Sequence, residues 1–417
     1  MTTFELAYGK GTVPIEVPPE RLGAVLEAKA GSPIPLRQAF DRAWSEPIGI
    51  DDPAAVFRPG DRVVVLVTDH TRPTPTRALF PLVWEKIRST VRAKDVTLLV
   101  ATGTHRSPTE QELEGMLGDL RRAFRVQIHD CDRDLVDVGT SSFGTRIEVN
   151  QALVEADRIV SLGHIGMHYY AGYSGGRKNV LPGVAGRATI EANHARLTDP
   201  RSTACCYAGN PISEEMVEAA RRVGLDLIVD VVLSSDGTVA KVVVGEPEAA
   251  HAAGRALWNV RFQVPLSERY DVVIASAGGH PKDINLYQAY KAQHNAMRAL
   301  RDGGILFLIA ACPNGIGHPV FEEWIERSGS PEDVLAIYRA EGFRLGGHKA
   351  VYHARDLQRA RVFLCSEFDE ATVRRFYMEP ATDAAAILDE ATERFDEGYR
   401  ILVMPHACDT FPVLDEG

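Results

Sequence analysis

The sequence predicts an α/β protein of two domains with mostly parallel sheets and an active site in the cleft between them. Three observations carry this expectation. At 417 residues, the chain is too long for one ordinary hydrophobic core. Short β-branched runs alternate with segments of helical apolar spacing, as in parallel sheets covered on both faces. The conspicuous polar clusters follow those runs, where ligands collect outside the carboxyl ends of strands in open α/β sheets.

Taken in order, residues 62–68 (RVVVLVT), 96–101 (VTLLVA) and 158–162 (RIVSL) read as buried strands. Residues 78–91 carry apolar side chains at helical spacing. Ser107-Pro108-Thr109-Glu110 marks a helix start, with acidic residues in the first turn. Residues 226–233 and 239–244 flank Ser-Ser-Asp-Gly, a hairpin signal. A second series of strands follows at 271–277 (DVVIASA), 304–310 (GILFLIA), 361–365 (RVFLC) and 400–404 (RILVM). The expected division is residues 1–265, residues 266–405, and a tail, 406–417, that packs back on the N-terminal domain. Residues 262–269 are the expected hinge.

Composition removes several classes of function. The formal net charge of −11 opposes a nucleic-acid partner, which needs a basic face. No apolar run approaches a membrane span, and the first residues lack a basic region followed by an apolar stretch. Six scattered cysteines without a C-x-x-C pattern fit a reducing compartment, so the expected location is cytoplasmic.

The richest segment is residues 168–178 (HYYAGYSGGRK), followed by His194. It joins small residues, which let backbone approach a ligand, to Arg177, Lys178 and two imidazoles. It reads as a site for an anionic, phosphorylated ligand with proton-transfer or metal chemistry beside it. Similar clusters follow other strands: 68–75 (TDHTRPTP), 101–106 (ATGTHR), 163–168 (GHIGMH) and 277–283 (AGGHPKD) leading to 285–291 (NLYQAYK). Singly, each has a bland reading. Asp69 or Thr71 is as readily a cap, Gly175-Gly176 a turn, and an Arg-Lys pair a solvated surface. His70, His129, His251, His353 and His406 receive no role. Adjacent Cys205 and Cys206 read as buried thiols near a helix start. Neither G-x-G-x-x-G nor G-x-x-x-x-G-K-[ST] is present. Convergence of several charged loops on one sheet edge is what raises the site above these readings.

With these residues assembled, the chain resembles the nickel-dependent lactate racemase family. Five motifs carry the likeness: Asp69-x-Thr71-Arg72, Thr102-Gly103-x-His105-Arg106, His168 through Lys178, His194, and Tyr287-Gln288-x-x-Lys291. The ten- and sixteen-residue separations of His168, Lys178 and His194 match the family pattern. The resemblance implies a nickel-pincer nucleotide, a pyridinium-3,5-bisthiocarboxylic acid mononucleotide, attached covalently at Lys178 with His194 as the protein's nickel ligand. Imidazole suits nickel(II). It implies His105 and His168 as the two acid/base groups, with Arg72, Tyr287, Gln288 and Lys291 binding the substrate. Asp69, Ser174, Gly175, Gly176 and Arg177 would hold the nucleotide.

The reaction so implied is racemisation or epimerisation of a small 2-hydroxy acid by reversible hydride transfer to the nucleotide, one histidine removing and the other returning the hydroxyl proton. Cofactor-biosynthesis proteins are the implied partners, and protein made alone is expected to be apo. Residues 345–352 (LGGHKAVY) lie where family lactate racemases carry a pocket tryptophan. There His348 or Lys349 would bind a second carboxylate, as in malate, or form an exposed solvated pair. Two other functions are weighed: an NAD-type 2-hydroxy-acid dehydrogenase, disfavoured by the missing glycine fingerprint, and a non-catalytic nucleotide- or nickel-binding protein, which would not need paired acid/base histidines.

Overall fold

The computed structural model describes residues 1–29, 33–395 and 398–415. It divides into two compact units, one of residues 30–260 and one of residues 1–29 with 261–417.

The 30–260 unit is built on a six-stranded sheet. Its order is Val239–Gly245, Leu227–Leu233, Arg158–His164, Val63–Thr68, Val96–Ala101 and Arg125–Ile128. All neighbours are parallel except the Leu227–Leu233/Val239–Gly245 hairpin. Every residue of Val63–Thr68 is buried, which is why that strand reads as a continuous apolar run rather than an alternating one. The helix Thr76–Ile87 lays Leu79, Phe80 and Val83 into a core shared with Phe40 and Trp44 of the helix Leu36–Ser45. Thr109 starts the helix Glu110–Leu117 in a capping box with Glu112, so the expected start is met one residue beyond Pro108.

The second unit holds another six-stranded sheet, wholly parallel, in the order Glu379–Pro380, Arg361–Cys365, Leu300–Ile309, Tyr270–Ser276, Ile401–Met404 and Leu22–Val25. Ile274, Phe307, Phe363 and Val403 anchor its core. An N-terminal hairpin, Thr2–Tyr8 with Gly11–Val17, adds Leu6 and Ile15 to that core. It turns through Gly9 at φ 54°, a backbone region that favours glycine.

Every strand expected from the β-branched runs is present within a few residues. The domain division differs in its assignment of the ends. Residues 1–29 go with the C-terminal unit because Leu22–Val25 extends its sheet beside Ile401–Met404. The tail, expected to pack back on the N-terminal domain, pairs in its own unit as Phe411–Leu414 alongside Gln263–Leu266. The expected hinge is therefore occupied by regular structure, the end of the helix Pro247–Phe262 and the strand Gln263–Leu266. Among the described residues, no helix is long and apolar enough to cross a membrane.

Candidate active site

In the 30–260 unit, the parallel register brings three loops level with one another. Thr68 pairs with Ala101 and Val67 with Leu162, so Asp69, the 102–106 loop and the 163–168 loop leave the same sheet edge. Asp69 is 3% exposed and accepts both the Thr71 backbone N–H at 3.1 Å and the Thr71 hydroxyl at 2.6 Å. That is the turn role weighed for it. It also accepts from His105 Nδ1 at 2.6 Å, which leaves His105 Nε2 as an acceptor nitrogen. Burial alone would raise the Asp69 carboxyl; the His105 bond and charge, the Thr71 hydroxyl and Arg72 outweigh it and hold the group below its ordinary value. Arg106, by contrast, forms a fork with Glu112 at 2.7 and 2.6 Å on the surface.

The 168–178 segment is a staple-bound loop. Ser174 Oγ donates to the His164 carbonyl and accepts from the Gly166 N–H, both at 2.9 Å. The Gly176 N–H donates to Asp230 Oδ2 at 2.7 Å. Gly175 sits at φ 86°, and a Cβ there would lie 2.5 Å from Asp230, so the turn requires glycine. Arg177 is buried, donating to the carbonyls of Ala171 and Tyr173 at 3.2 and 3.4 Å and to Ser213 Oγ at 2.8 Å. Burial draws its guanidinium down to about 10. The Ser174 hydroxyl, the Gly176 N–H and the terminal amino groups of Arg177 are thus engaged in fixing the loop, while Arg177 Nε is buried with no hydrogen-bond partner among the described residues. Asp230 is fully buried beneath it, and burial raises its carboxyl to about 7.

Next along this loop comes Lys178, in the short helix Gly176–Asn179. Its amine is held well below its ordinary value, first by burial and then by the charges of Arg72 and Arg177. His194 ends the helix Arg187–His194. Burial, with Lys178 adding, lowers its imidazole to about 3, so it is neutral at ordinary pH. The Tyr170 ring contacts both His168, at 4.5 Å between centroids, and His194, at 4.9 Å. The Ala171 N–H donates to His168 Nδ1 at 3.3 Å, which puts the proton of the neutral ring on Nε2. Asp69, Arg72, His105, His168, Lys178 and His194 are therefore linked by contact or electrostatics within one unit.

Tyr287, Gln288 and Lys291 lie on the helix Leu286–Ala299 of the other unit, which Asn285 caps by accepting from the Gln288 N–H at 2.9 Å. Tyr287 and Lys291 are one turn apart on a shared face. The Tyr287 ring stacks on His318 at 5.0 Å between centroids, and the Lys349 amine sits 3.8 Å from its centre while donating to the Tyr287 carbonyl. Lys349 and His348 are 5% and 6% exposed. They are not a solvated pair, because Lys349 is folded under Tyr287.

Several bland readings hold. His129 bonds Ala185 O and Asn150 in the interior, and His353 bonds Phe376 O. His251 lies under the 168–178 loop against Ser174 O. Cys205 and Cys206 are half-buried rather than buried, their backbone tied to Gly172 and to Asn210, which caps the helix Pro211–Val223. Asn193, Glu215 and Asp230 support the site and were missed in the sequence. Asp230 had a signal, a carboxylate in the middle of the apolar run LIVDVVL; Asn193 and Glu215 had none.

Residues 8–205 match the family model of the lactate racemase N-terminal domain, and residues 266–411 match that of the lactate racemase C-terminal domain. The chain is 32% identical to the lactate racemase of Thermoanaerobacterium thermosaccharolyticum and 30% identical to that of Lactiplantibacillus plantarum. Each alignment covers 97% of this chain and 98% of the relative. The solved lactate racemase apoprotein of T. thermosaccharolyticum superposes with a TM-score of 0.91 at 31% identity, covering 99% of this chain and all of the other. A solved Thermotoga maritima protein, at TM-score 0.64 and 18% identity over 93% of this chain and all of its own, shares the fold.

Proposed function

The chain belongs to the lactate racemase family, and on that premise we propose that it is an isomerase interconverting the enantiomers or epimers of a small 2-hydroxy acid. The observation that carries the reading is the cluster in the 30–260 unit: a lysine amine held well below its ordinary value, beside a neutral histidine and two further imidazoles of defined tautomer.

The residues fit the nickel-pincer nucleotide that the family implies. A buried amine depressed by burial and by Arg72 and Arg177 is uncharged far below ordinary lysine pKa values, the state needed to form an amide-like bond. An imidazole that stays neutral down to about pH 3 keeps a lone pair for a borderline metal. Lys178 would tether the group and His194 would ligate its nickel. Ser174, Gly176 and Arg177 would serve by fixing the lysine loop, since the Ser174 hydroxyl, the Gly176 N–H and an Arg177 terminal amino group are engaged with His164, Asp230 and the loop carbonyls. When bound, the nucleotide supplies reversible acceptance of a hydride from the substrate's Cα.

The chain's own residues handle the proton and the carboxylate. His105, clamped by Asp69, presents an acceptor Nε2 that can take the hydroxyl proton. His168 presents Nε2–H as a donor to the substrate oxygen. Inversion needs both groups, because the hydroxyl points differently in the two enantiomers. Arg72, with Tyr287, Gln288 and Lys291, would bind the substrate; the guanidinium fork suits a carboxylate.

The test is to co-express the chain with cofactor-synthesis proteins and screen enantiopure 2-hydroxy acids by chiral chromatography. Racemisation, a Lys178 adduct in the intact mass and about one nickel per chain are expected. Absence of all three would overturn the reading.

A further inference from the structure

His194 can offer nickel only one ring nitrogen, and its neighbours decide which. His194 Nδ1 lies 3.0 Å from Asn193 Oδ1. In the amide of Asn193 the oxygen and nitrogen ends are distinguished by what surrounds them. Asn193 Nδ2 donates to the Ile212 carbonyl at 3.2 Å and to Glu215 Oε2 at 2.8 Å. Both of those atoms accept only. Turning the amide over would set its oxygen against a carbonyl and a carboxylate and lose both bonds. Oδ1 must therefore face His194, and Oδ1 cannot donate.

The carboxylate that enforces this orientation is itself held firmly. Glu215 is fully buried, accepts from Ser141 Oγ at 2.6 Å and pairs with Arg196 at 2.8 Å. Arg196 in turn donates to Thr145 Oγ1 at 2.9 Å and to Phe143 O at 3.1 Å. The path from Arg196 through Glu215 and Asn193 to His194 thus has one consistent assignment of donors and acceptors, anchored at a guanidinium that cannot accept.

We propose that Asn193 is a positioning residue that fixes the His194 tautomer, placing the proton on Nδ1 and making Nε2 the nitrogen offered to nickel. The proposal deepens the functional reading and rests on it for the identity of the metal. Ligating histidines commonly have their second nitrogen held by such a partner, and removal of the partner weakens metal binding about 10–100-fold.

Two measurements test it, and the first needs no cofactor. Long-range ¹H–¹⁵N correlation on ¹⁵N-histidine apoprotein, with His194 assigned by comparison with His194→Gln, should show a protonated Nδ1 and a bare Nε2. A protonated Nε2 in that spectrum overturns the proposal, whether or not the chain proves to be a racemase. The second uses loaded protein and follows nickel loss to excess chelator. Asn193→Leu should lose nickel about 10–100-fold faster than the parent, with the mass of the Lys178 adduct unchanged. Nickel loss from Asn193→Leu at the parental rate also overturns the proposal. A parent that carries no adduct and no nickel overturns the functional reading instead, and the apoprotein spectrum still decides the tautomer.

Discussion

Asp230→Asn should change how stability depends on pH, by an amount set by the burial of the carboxyl. Burial raises the Asp230 carboxyl to about 7 from its ordinary value of 3.8. At about 1.4 kcal/mol per unit, the ionised form carries a penalty of about 4 kcal/mol when fully developed. The sign follows from the raised folded value. Below the unfolded pKa both states are protonated and no penalty exists. It grows as pH rises toward and through 7, because the folded state then binds the proton that the unfolded state has already released. Between pH 5 and pH 8 the parent should lose about 2–3 kcal/mol of stability from this group, and Asp230→Asn should lose none of it. Urea unfolding of the apoprotein at pH 5, 6, 7 and 8 measures the difference. The variant is destabilised at pH 5, where the Gly176 N–H loses its carboxyl partner, and the gap should narrow steadily with rising pH. Parallel pH profiles would refute the reasoning and place Asp230 in contact with water or a compensating charge.

Asp69→Asn should lower racemisation about 100-fold or more while leaving the fold intact, since the amide no longer selects the Nδ1–H form of His105; kcat measured by chiral chromatography, with circular dichroism as a folding control, checks it. Arg177→Met should destabilise the apoprotein by about 3–5 kcal/mol, because it strands the buried carbonyl of Ala171 and the hydroxyl of Ser213; thermal unfolding reads this directly. Gly172→Ala should be as damaging, since a Cβ there would run into the Cys206 carbonyl oxygen with φ at +72°; expression and Tm decide. His194 acts against the fold in acid: with its folded value near 3 and an ordinary value of 6.5, it withdraws stability as pH falls below about 6.5, at up to about 1.4 kcal/mol per unit. His194→Gln should flatten that part of the profile.

How much of this was legible in the chain depends on whether the information is local. The strands of both sheets announce themselves because parallel strands buried on both faces need uninterrupted β-branched runs, as in VVVLVT and LIVDVVL. Leu22–Val25 was not legible: it is four residues long, includes a glycine, and becomes a strand only beside Ile401–Met404. At the site, the residue types were visible in their loops, and the likeness of spacing named their roles. Their pairings were not. Asp69 meets His105 because two neighbouring parallel strands end level, and nothing in either loop states that the strands are neighbours. Asn193 and Glu215 are ordinary helix residues in sequence, and only the packing of two helices turns them into a support for His194. The same limit explains the Ser174–Arg177 turn. Its composition suits an anion, yet its donors close on Asp230 and on the loop itself.

The return of the first 29 residues to the far end of the chain has a consequence for biosynthesis. A ribosome releases residues 30–260 as a continuous stretch that contains every strand of its own sheet, so that unit can close as soon as it emerges. The strand Leu22–Val25, made earlier, has no edge to join until Ile401–Met404 appears hundreds of residues later. Loop-closure entropy grows only logarithmically with length, so the wait is a matter of timing more than of free energy. A chain stalled before residue 401 would hold a finished 30–260 unit joined to an N-terminal segment whose Leu22–Val25 strand is unpaired. The second sheet acquires its sixth strand only after residues 401–404 have been made.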